Sequence, residues 1–191
     1  MLKKTFIQAV PLTQEAFSPY GRVIQHPTEP QGSMTVLANA GTAQRTNYLA
    51  EPQSLFSKEA GAKANLCVFR CSPIQSTPIS IRMLERHPYS TQAFIPMGPV
   101  GGSGQGRYLV VVAATQEDGS PDWSHLQAFL ALPRQAIQYH PATWHHPMIS
   151  LDDTMDFTCL VWESGVMEKD TQVTHLSPED PSYLIDPIHP S

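Results

Sequence analysis

From Ala64 onward the chain is a procession of short apolar runs: NLCVFRC, ISIRMLE, TQAFIPM, RYLVVVAAT, LQAFLAL, AIQYH, HPMISL and DFTCLVWE. Each is rich in β-branched, aromatic or other apolar residues and is set off by turn chemistry, which is how strands read in a sequence. Their near-regular spacing, without the 10–15-residue helical crossovers of a parallel sheet, predicts a sandwich or barrel. Upstream, VPLTQEAFSPYGRVI reads as a strand, one helical turn that Thr13 caps, a stop at Ser18-Pro19, and a strand ending before His26-Pro27. Thr28 to Gly32 is turn-rich, MTVLANAG is a brief strand ending at Gly41, and SLFSKEA has room for one more helical turn. The segment 165–191 is acidic and proline-rich; within it Tyr183, Leu184 and Ile185 are placed to dock on the barrel or on a second subunit. No internal repeat is visible, and the whole of 1–191 reads as a single domain.

Composition supports short elements. The 18 prolines in 191 residues are about twice the average share of ~5%, and each removes a backbone donor. Charged residues are only 15%, which argues against long charged helices and coiled coils. A formal net charge of −5 leaves no basic stripe for phosphates, so nucleic acid is not an expected partner. The longest apolar run, Tyr108 to Ala114, is far short of the ~20 residues of a membrane span. The start MLKKTFIQAVPLTQE has no sustained apolar leader and the end is not Ser-Lys-Leu, so the expected location is cytoplasmic.

Cys67, Cys71 and Cys159 are an odd number with no Cys-x-x-Cys spacing, which points to packing rather than a disulfide framework. The glycine-rich GGSGQG at 101–106 precedes a strand rather than a helix, so it reads as a hairpin connection and not as a phosphate cradle.

The candidate chemistry is in two polar clusters. His140, His145 and His146 fall within QYHPATWHHPM, and His87 lies in LERHPYSTQAF. Imidazole can serve as base, acid or metal ligand near neutral pH, so histidines clustered at strand ends raise the odds of a site. Strand alternation places Gln92 and Phe94 on one face of TQAFIPM, as a pocket wall. Arg70 and Arg86 stand at strand ends, where a guanidinium can grip a small carboxylate; the alternative for Arg70 is a rim salt bridge, for instance to Glu85. His145 and His146 must point to opposite sides of an extended segment. His145 shares its parity with Ile149 and Leu151, which favours it as the inward ring, although Pro147 can reset the alternation.

LERHPYSTQAFIPM (84–97), VVVAA (110–114), YHPATWHHPM (139–148), the later Asp156-Phe157 and the opening PLTQEAFSPYGRVI resemble the ureidoglycolate lyase family of allantoin degradation. The resemblance runs to about residue 165. It implies a cupin-like double-stranded β-helix or barrel, a homodimer, and cleavage of (S)-ureidoglycolate to glyoxylate and urea. Its implied site has His145, His140, His87 and His146 as acid–base residues. Arg70 or Arg86 would hold the carboxylate and Gln92 the ureido group, with Phe94 and Trp144 excluding water and Tyr139 joining the substrate-binding set. Metal-binding cupins carry His-x-His and then Glu in their first motif. Here Pro88 and Tyr89 follow His87 and Gln92 stands where the Glu would, so the ligand set reads as incomplete. Some family members are described with nickel, which makes a divalent ion a possible cofactor though not one required for folding. The alternatives are a metal-dependent cupin hydrolase or isomerase, and a non-catalytic cupin that binds a small acid.

Overall fold

A computed structural model of the chain describes residues 3–27, 34–101 and 105–187. The turn expected at Thr28 to Gly32 and the middle of the glycine-rich connection lie outside the described residues. The N-terminal part contains β1 (Lys4–Pro11), α1 (Gln14–Phe17), β2 (Gly21–Ile24), β3 (Thr35–Ala38) and β4 (Ala43–Thr46). The centre contains β5 (Lys63–Cys71), β6 (Ile79–Ile81), β7 (Met83–Arg86), β8 (Gln92–Pro99), β9 (Tyr108–Ala113) and β10 (Gln127–Ala131). Then follow β11 (Ala136–Tyr139), β12 (Trp144–His145), β13 (Ile149–Ser150), β14 (Met155–Glu163), α2 (Met167–Asp170), β15 (Gln172–His175) and β16 (Ser182–Asp186).

Local chemistry explains several boundaries. The Thr13 hydroxyl accepts the Ala16 N–H at 3.2 Å and so caps α1, as its sequence suggests. Gly21 opens β2 because an added Cβ would lie 2.0 Å from the Gln138 carbonyl oxygen, so only glycine lets this edge strand close on β11. Two runs end differently from the sequence reading. ISIRMLE is not one strand: β6 pairs with β16, while β7 pairs with β12 and β15, and Arg82 between them donates to the Leu176 and Ser177 carbonyls. SLFSKEA contributes only a 3-10 turn at Lys58–Ala60, closed by left-handed Gly61.

The strands form two large sheets and one ribbon. The larger sheet runs β15-β7-β12-β9-β10-β1-β16-β6, with β13 also on β9; the smaller runs β2-β11-β8-β14-β5; β3 and β4 pair only with each other. Pairing is antiparallel except that β1 lies parallel to β10 and β16, so the C-terminal β16 is a sheet strand held between β1 and β6.

The unbroken apolar run of β9 is buried on both faces, which is why it does not alternate. Tyr108, Val110 and Val112 face the smaller sheet and pack with Phe94, Phe129, Ile137, Tyr139 and Phe157 in the barrel interior. Leu109, Val111 and Ala113 face the other way, into a second core with Leu84, Trp144, Ile149 and Ile185. Edge-to-face contacts knit the interior, Tyr108 on Phe157 at 5.1 Å and Phe17 on Phe129 at 5.5 Å between ring centroids. Each such fully buried aromatic contributes about 1.5–3 kcal/mol of transfer free energy. The result is a mostly β, cupin-like barrel of two curled sheets, and its functional groups gather at the end where β8 begins and β11 stops.

Candidate active site

Strand parity builds the site. Leu84 and Arg86 of β7 face the outer core, so Glu85 and the following His87 face the barrel interior. On the neighbouring strand Trp144 faces outward and His145 inward, and His145 is the residue directly opposite Glu85 in the β12–β7 pair. One ligand-type atom from each of Glu85, His87 and His145 lies within 4.8 Å of the others. His145 Nε2 is 3.6 Å from Glu85 Oε1, and the two imidazole rings stack at 5.7 Å. Tyr139, fully buried beneath, stacks on His145 at 4.0 Å with the planes 13° apart. Gln92 is buried beside them, at the entry to β8.

The main chain sets the tautomers of both rings. His87 Nδ1 lies 2.8 Å from the Asp170 carbonyl oxygen, and His145 Nδ1 lies 2.9 Å from that of Thr143. A carbonyl can only accept, so each ring carries a proton on Nδ1, and in His87, which burial holds neutral, the Nε2 lone pair is left bare. His87 Nε2, His145 Nε2 and Gln92 Oε1 are buried without a hydrogen-bond partner. The Thr143 carbonyl is presented by a strained turn: Ala142 has φ +62° and its N–H donates to the His87 carbonyl at 2.8 Å.

The electrostatics are those of a centre waiting for positive charge. Burial pushes the His87 pKa below its ordinary value, with His145 adding to the effect, so the ring is held neutral. Burial would raise the Glu85 pKa, but the neighbouring His145, with smaller contributions from His87 and His146, outweighs it and holds the carboxyl below its usual value. Two imidazole nitrogens without hydrogen-bond partners and an ionised carboxylate make a donor set that fits a borderline divalent ion such as nickel, with the orphaned Gln92 amide oxygen beside it. The cluster thus brings to the two histidines a third group that could hold a metal, Glu85, which the motif comparison had not counted.

Of the residues singled out by sequence, His87, His145 and Gln92 come together, and Tyr139 and Phe94 pack below them, Phe94 edge-on to Tyr139 at 6.5 Å. His146 is half-buried just past β12, its Nδ1 2.7 Å from the Pro147 carbonyl oxygen, and burial lowers its pKa. His140 is half-buried at the end of β11, where its N–H donates to the Tyr20 carbonyl; it is not in the three-residue cluster.

Three expectations need correction. Arg70 projects from the outer face of β5, 65% exposed, and binds Asp156 bidentately at 2.8 Å. Asp156 pairs on its other side with Gly98, six residues along β8 from Gln92, or about 20 Å at strand rise. Its salt-bridge partner is thus Asp156 rather than Glu85. Arg86 is also committed elsewhere: it stacks over Trp144 at 4.5 Å and donates to the Gly119 carbonyl and to Gln172 Oε1. Trp144, whose indole N–H donates to the same Gly119 carbonyl, belongs to the outer core and not to the wall above the histidines.

Glu85 is the functional residue the sequence reading passed over, having entered only as a possible partner for Arg70. The available signal was its spacing: Glu85-x-His87 on a strand puts both side chains on one face, in the place of the cupin His-x-His, with Gln92 following.

Comparisons with known proteins identify the family of the chain. The ureidoglycolate lyase family model matches residues 4–182. Ureidoglycolate lyase of Schizosaccharomyces pombe is 36% identical over 180 residues, covering 90% of this chain and 91% of that protein. The Brucella anthropi and Saccharomyces cerevisiae proteins of the same name are 36% and 38% identical, with 95% and 94% of this chain covered and 95% and 98% of theirs. Among solved structures, a dTDP sugar isomerase from Desulfovibrio desulfuricans G20 aligns at a TM-score of 0.40 and 14% identity, over 84% of this chain and 83% of that one, too weak a likeness to bear on function. With nearly the whole chain matched by the family model, the protein belongs to the ureidoglycolate lyase family.

Proposed function

We propose that this protein is a ureidoglycolate lyase that cleaves (S)-ureidoglycolate to glyoxylate and urea. The observation that carries the reading is the buried Glu85–His87–His145 cluster with Gln92, built from the two motifs that mark the family resemblance. Glu85, His87 and His145 would hold a divalent ion, which when bound supplies Lewis acidity toward the oxygen atoms of an α-hydroxy acid. With Arg70 and Arg86 both engaged elsewhere, the substrate carboxylate is held at this centre rather than by a guanidinium.

The carbon that reacts carries a hydroxyl, a carboxylate and a ureido nitrogen. Loss of the hydroxyl proton lets the glyoxylate carbonyl form while the C–N bond breaks and its electron pair leaves with nitrogen. Glu85 is kept ionised by its histidine neighbours, and the carboxylate oxygen that an ion would leave free accepts the hydroxyl proton and returns it to the departing nitrogen, so that neutral urea leaves. Gln92 Oε1 accepts from a ureido N–H and orients that group. Tyr139 and Phe94 form a rigid floor that fixes the His145 ring. His140 and His146, half-buried at the ends of β11 and β12 and outside the cluster, take no part in the proton transfer.

A homodimeric cytoplasmic enzyme is part of this reading. Leu66, Val68 and Met97 stand exposed on β5 and β8, an apolar surface of the kind a second copy covers. No helix among the described residues is long and apolar enough to cross a membrane.

Purified protein given racemic ureidoglycolate is the test. The expected products are glyoxylate and urea in equal amounts, with ammonia only after urease is added. Ammonia released directly would overturn the lyase reading in favour of hydrolysis at the ureido carbonyl.

A further inference from the structure

The two histidines of the centre are oriented by different means. His145 is held by Thr143, two residues away in its own turn, and that support forms with the turn itself. His87 is held by the Asp170 carbonyl, 83 residues later in the chain, so its orientation depends on how the segment after β14 folds back. That segment has few apolar anchors, since α2 is a single turn with no buried residue.

Asp170 closes the segment with its side chain. One carboxylate oxygen accepts from the Ser164 N–H and the Ser164 hydroxyl, both at 2.7 Å, and the other accepts from the Gly165 N–H at 2.8 Å. Gly165 has φ +82°, the left-handed conformation that turns the chain out of β14. The Asp170 N–H in turn donates to the Val166 carbonyl at 2.9 Å, which completes the loop. With both ends fixed, the one remaining main-chain group of Asp170, its carbonyl, is aimed at His87 Nδ1. Immediately afterwards β15 pairs with β7 in the register Gln172 to Arg86, next to His87.

We propose that Asp170 is a positioning residue: by closing the 164–170 turn on its own carboxylate, it sets its carbonyl against His87 and locks that ring with Nε2 open to the Glu85–His145 centre. The proposal rests on the reading of that centre as the functional site, but it concerns the state of one imidazole and is measurable without substrate. Without the lock, only the longer contact of the Thr171 hydroxyl, 3.4 Å from Nδ1, remains on that nitrogen, so His87 can turn its ring or move its proton to Nε2, and a protonated Nε2 cannot donate a lone pair to an ion.

The experiment uses the full chain, with Asp170→Ala and Asp170→Asn. Nitrogen-15 correlation spectra of the imidazoles read the tautomer of each histidine directly, and calorimetric titration with nickel(II) alone reads the donor set. In the native protein both His87 and His145 should give a protonated Nδ1 and an unprotonated Nε2. In Asp170→Ala the His87 signals should move to a mixture of tautomers while His145 stays as it was, and nickel affinity should fall about 10–100-fold, the usual range for losing an outer hydrogen-bond partner. Asp170→Asn keeps one acceptor oxygen and should recover part of that loss. The proposal is overturned if His87 keeps its tautomer and nickel affinity stays within twofold in a folded Asp170→Ala protein, or if His87 and His145 change together, which would mean general loosening. Should Asp170→Ala not fold, the native spectrum decides: a protonated His87 Nε2 refutes the lock. Failure of the lyase assay leaves this result standing, and the reverse also holds.

Discussion

At the scale of single residues, the partner a charged group finds decides whether it is free for substrate. A guanidinium at a strand end is equally suited to grip a substrate or a neighbouring carboxylate, and only the fold shows that Arg70 faces Asp156 on the outside of the sheet. Arg70→Ala is therefore expected to leave kcat/KM within about twofold, and a tenfold loss would show that the exposed face takes part in binding. The histidines separate more sharply. His145 is 1% exposed within the centre and cannot be replaced by Asn without losing its donor nitrogen. His145→Asn should lower kcat by two decades or more, and His146→Asn by less than one, with melting temperatures compared first. Equal large losses would place His146 on the substrate. Glu85 escaped notice because one carboxylate in a polar motif looks like any other surface acid. What distinguishes it is a cross-strand neighbour, His145, 60 positions away in the numbering, and strand pairing of that range is not written in either motif.

At the scale of elements, the apolar runs were legible because burial imposes their pattern, and β5, β8, β9, β10, β11 and β14 lie where the runs are. Register was not legible, and His145 makes the point. It faces inward, but not by the parity that made it the inward candidate, because Ile149 lies in the outer core with Trp144. His145 pairs with Val112 and Ile149 with Leu109, so four residues on one side oppose three on β9, a one-residue bulge spanning Pro147. A proline marks where a ladder can break without saying which way the chain resumes. Just beyond β13, the turn is held by an ion pair. Arg107, entering β9, donates its N–H, Nε and Nη2 to the Asp152 carboxylate at 3.0, 2.9 and 2.8 Å. The Arg107 side-chain hydrogen bonds hold the Asp152 pKa below its usual 3.8. A carboxyl whose folded pKa is depressed stabilises the fold above its ordinary pKa and loses that contribution as pH falls through the folded value. Asp152→Asn should thus cost about 1 kcal/mol at neutral pH, a figure kept low by solvent contact. In urea titrations the gap to the native protein should stay constant down to about pH 5 and close below about pH 3. A gap independent of pH would mean that the neutral hydrogen bonds, not the charge, hold the turn.

At the scale of the whole molecule, the question is whether the centre supports the barrel or the barrel supports the centre. Two apolar cores, one between the sheets and one outside the larger sheet, contain most of the buried side chains, and none of the three cluster residues belongs to either. Even the C-terminal strand is fixed by that outer core, through Ile185 and Tyr183, rather than by anything at the site. A chain of 191 residues buries roughly 70% of its unfolded surface, enough for a fold without an ion. The centre, in contrast, is costly alone, because His87 Nε2, His145 Nε2 and Gln92 Oε1 are buried without hydrogen-bond partners. Chelation and desalting should therefore leave the β-sheet circular dichroism unchanged. Adding nickel(II) back should raise the melting temperature progressively with the logarithm of its concentration, with about 2.7 kcal/mol of added stability at a hundredfold excess over Kd. Glu85→Gln should weaken that rise and also lower the ion-free melting temperature slightly at neutral pH, since the histidine neighbours hold the carboxyl below its usual pKa and its charge therefore stabilises the fold. Cooperative loss of sheet signal on chelation would show instead that the ion is structural and that the two cores cannot hold the barrel without it.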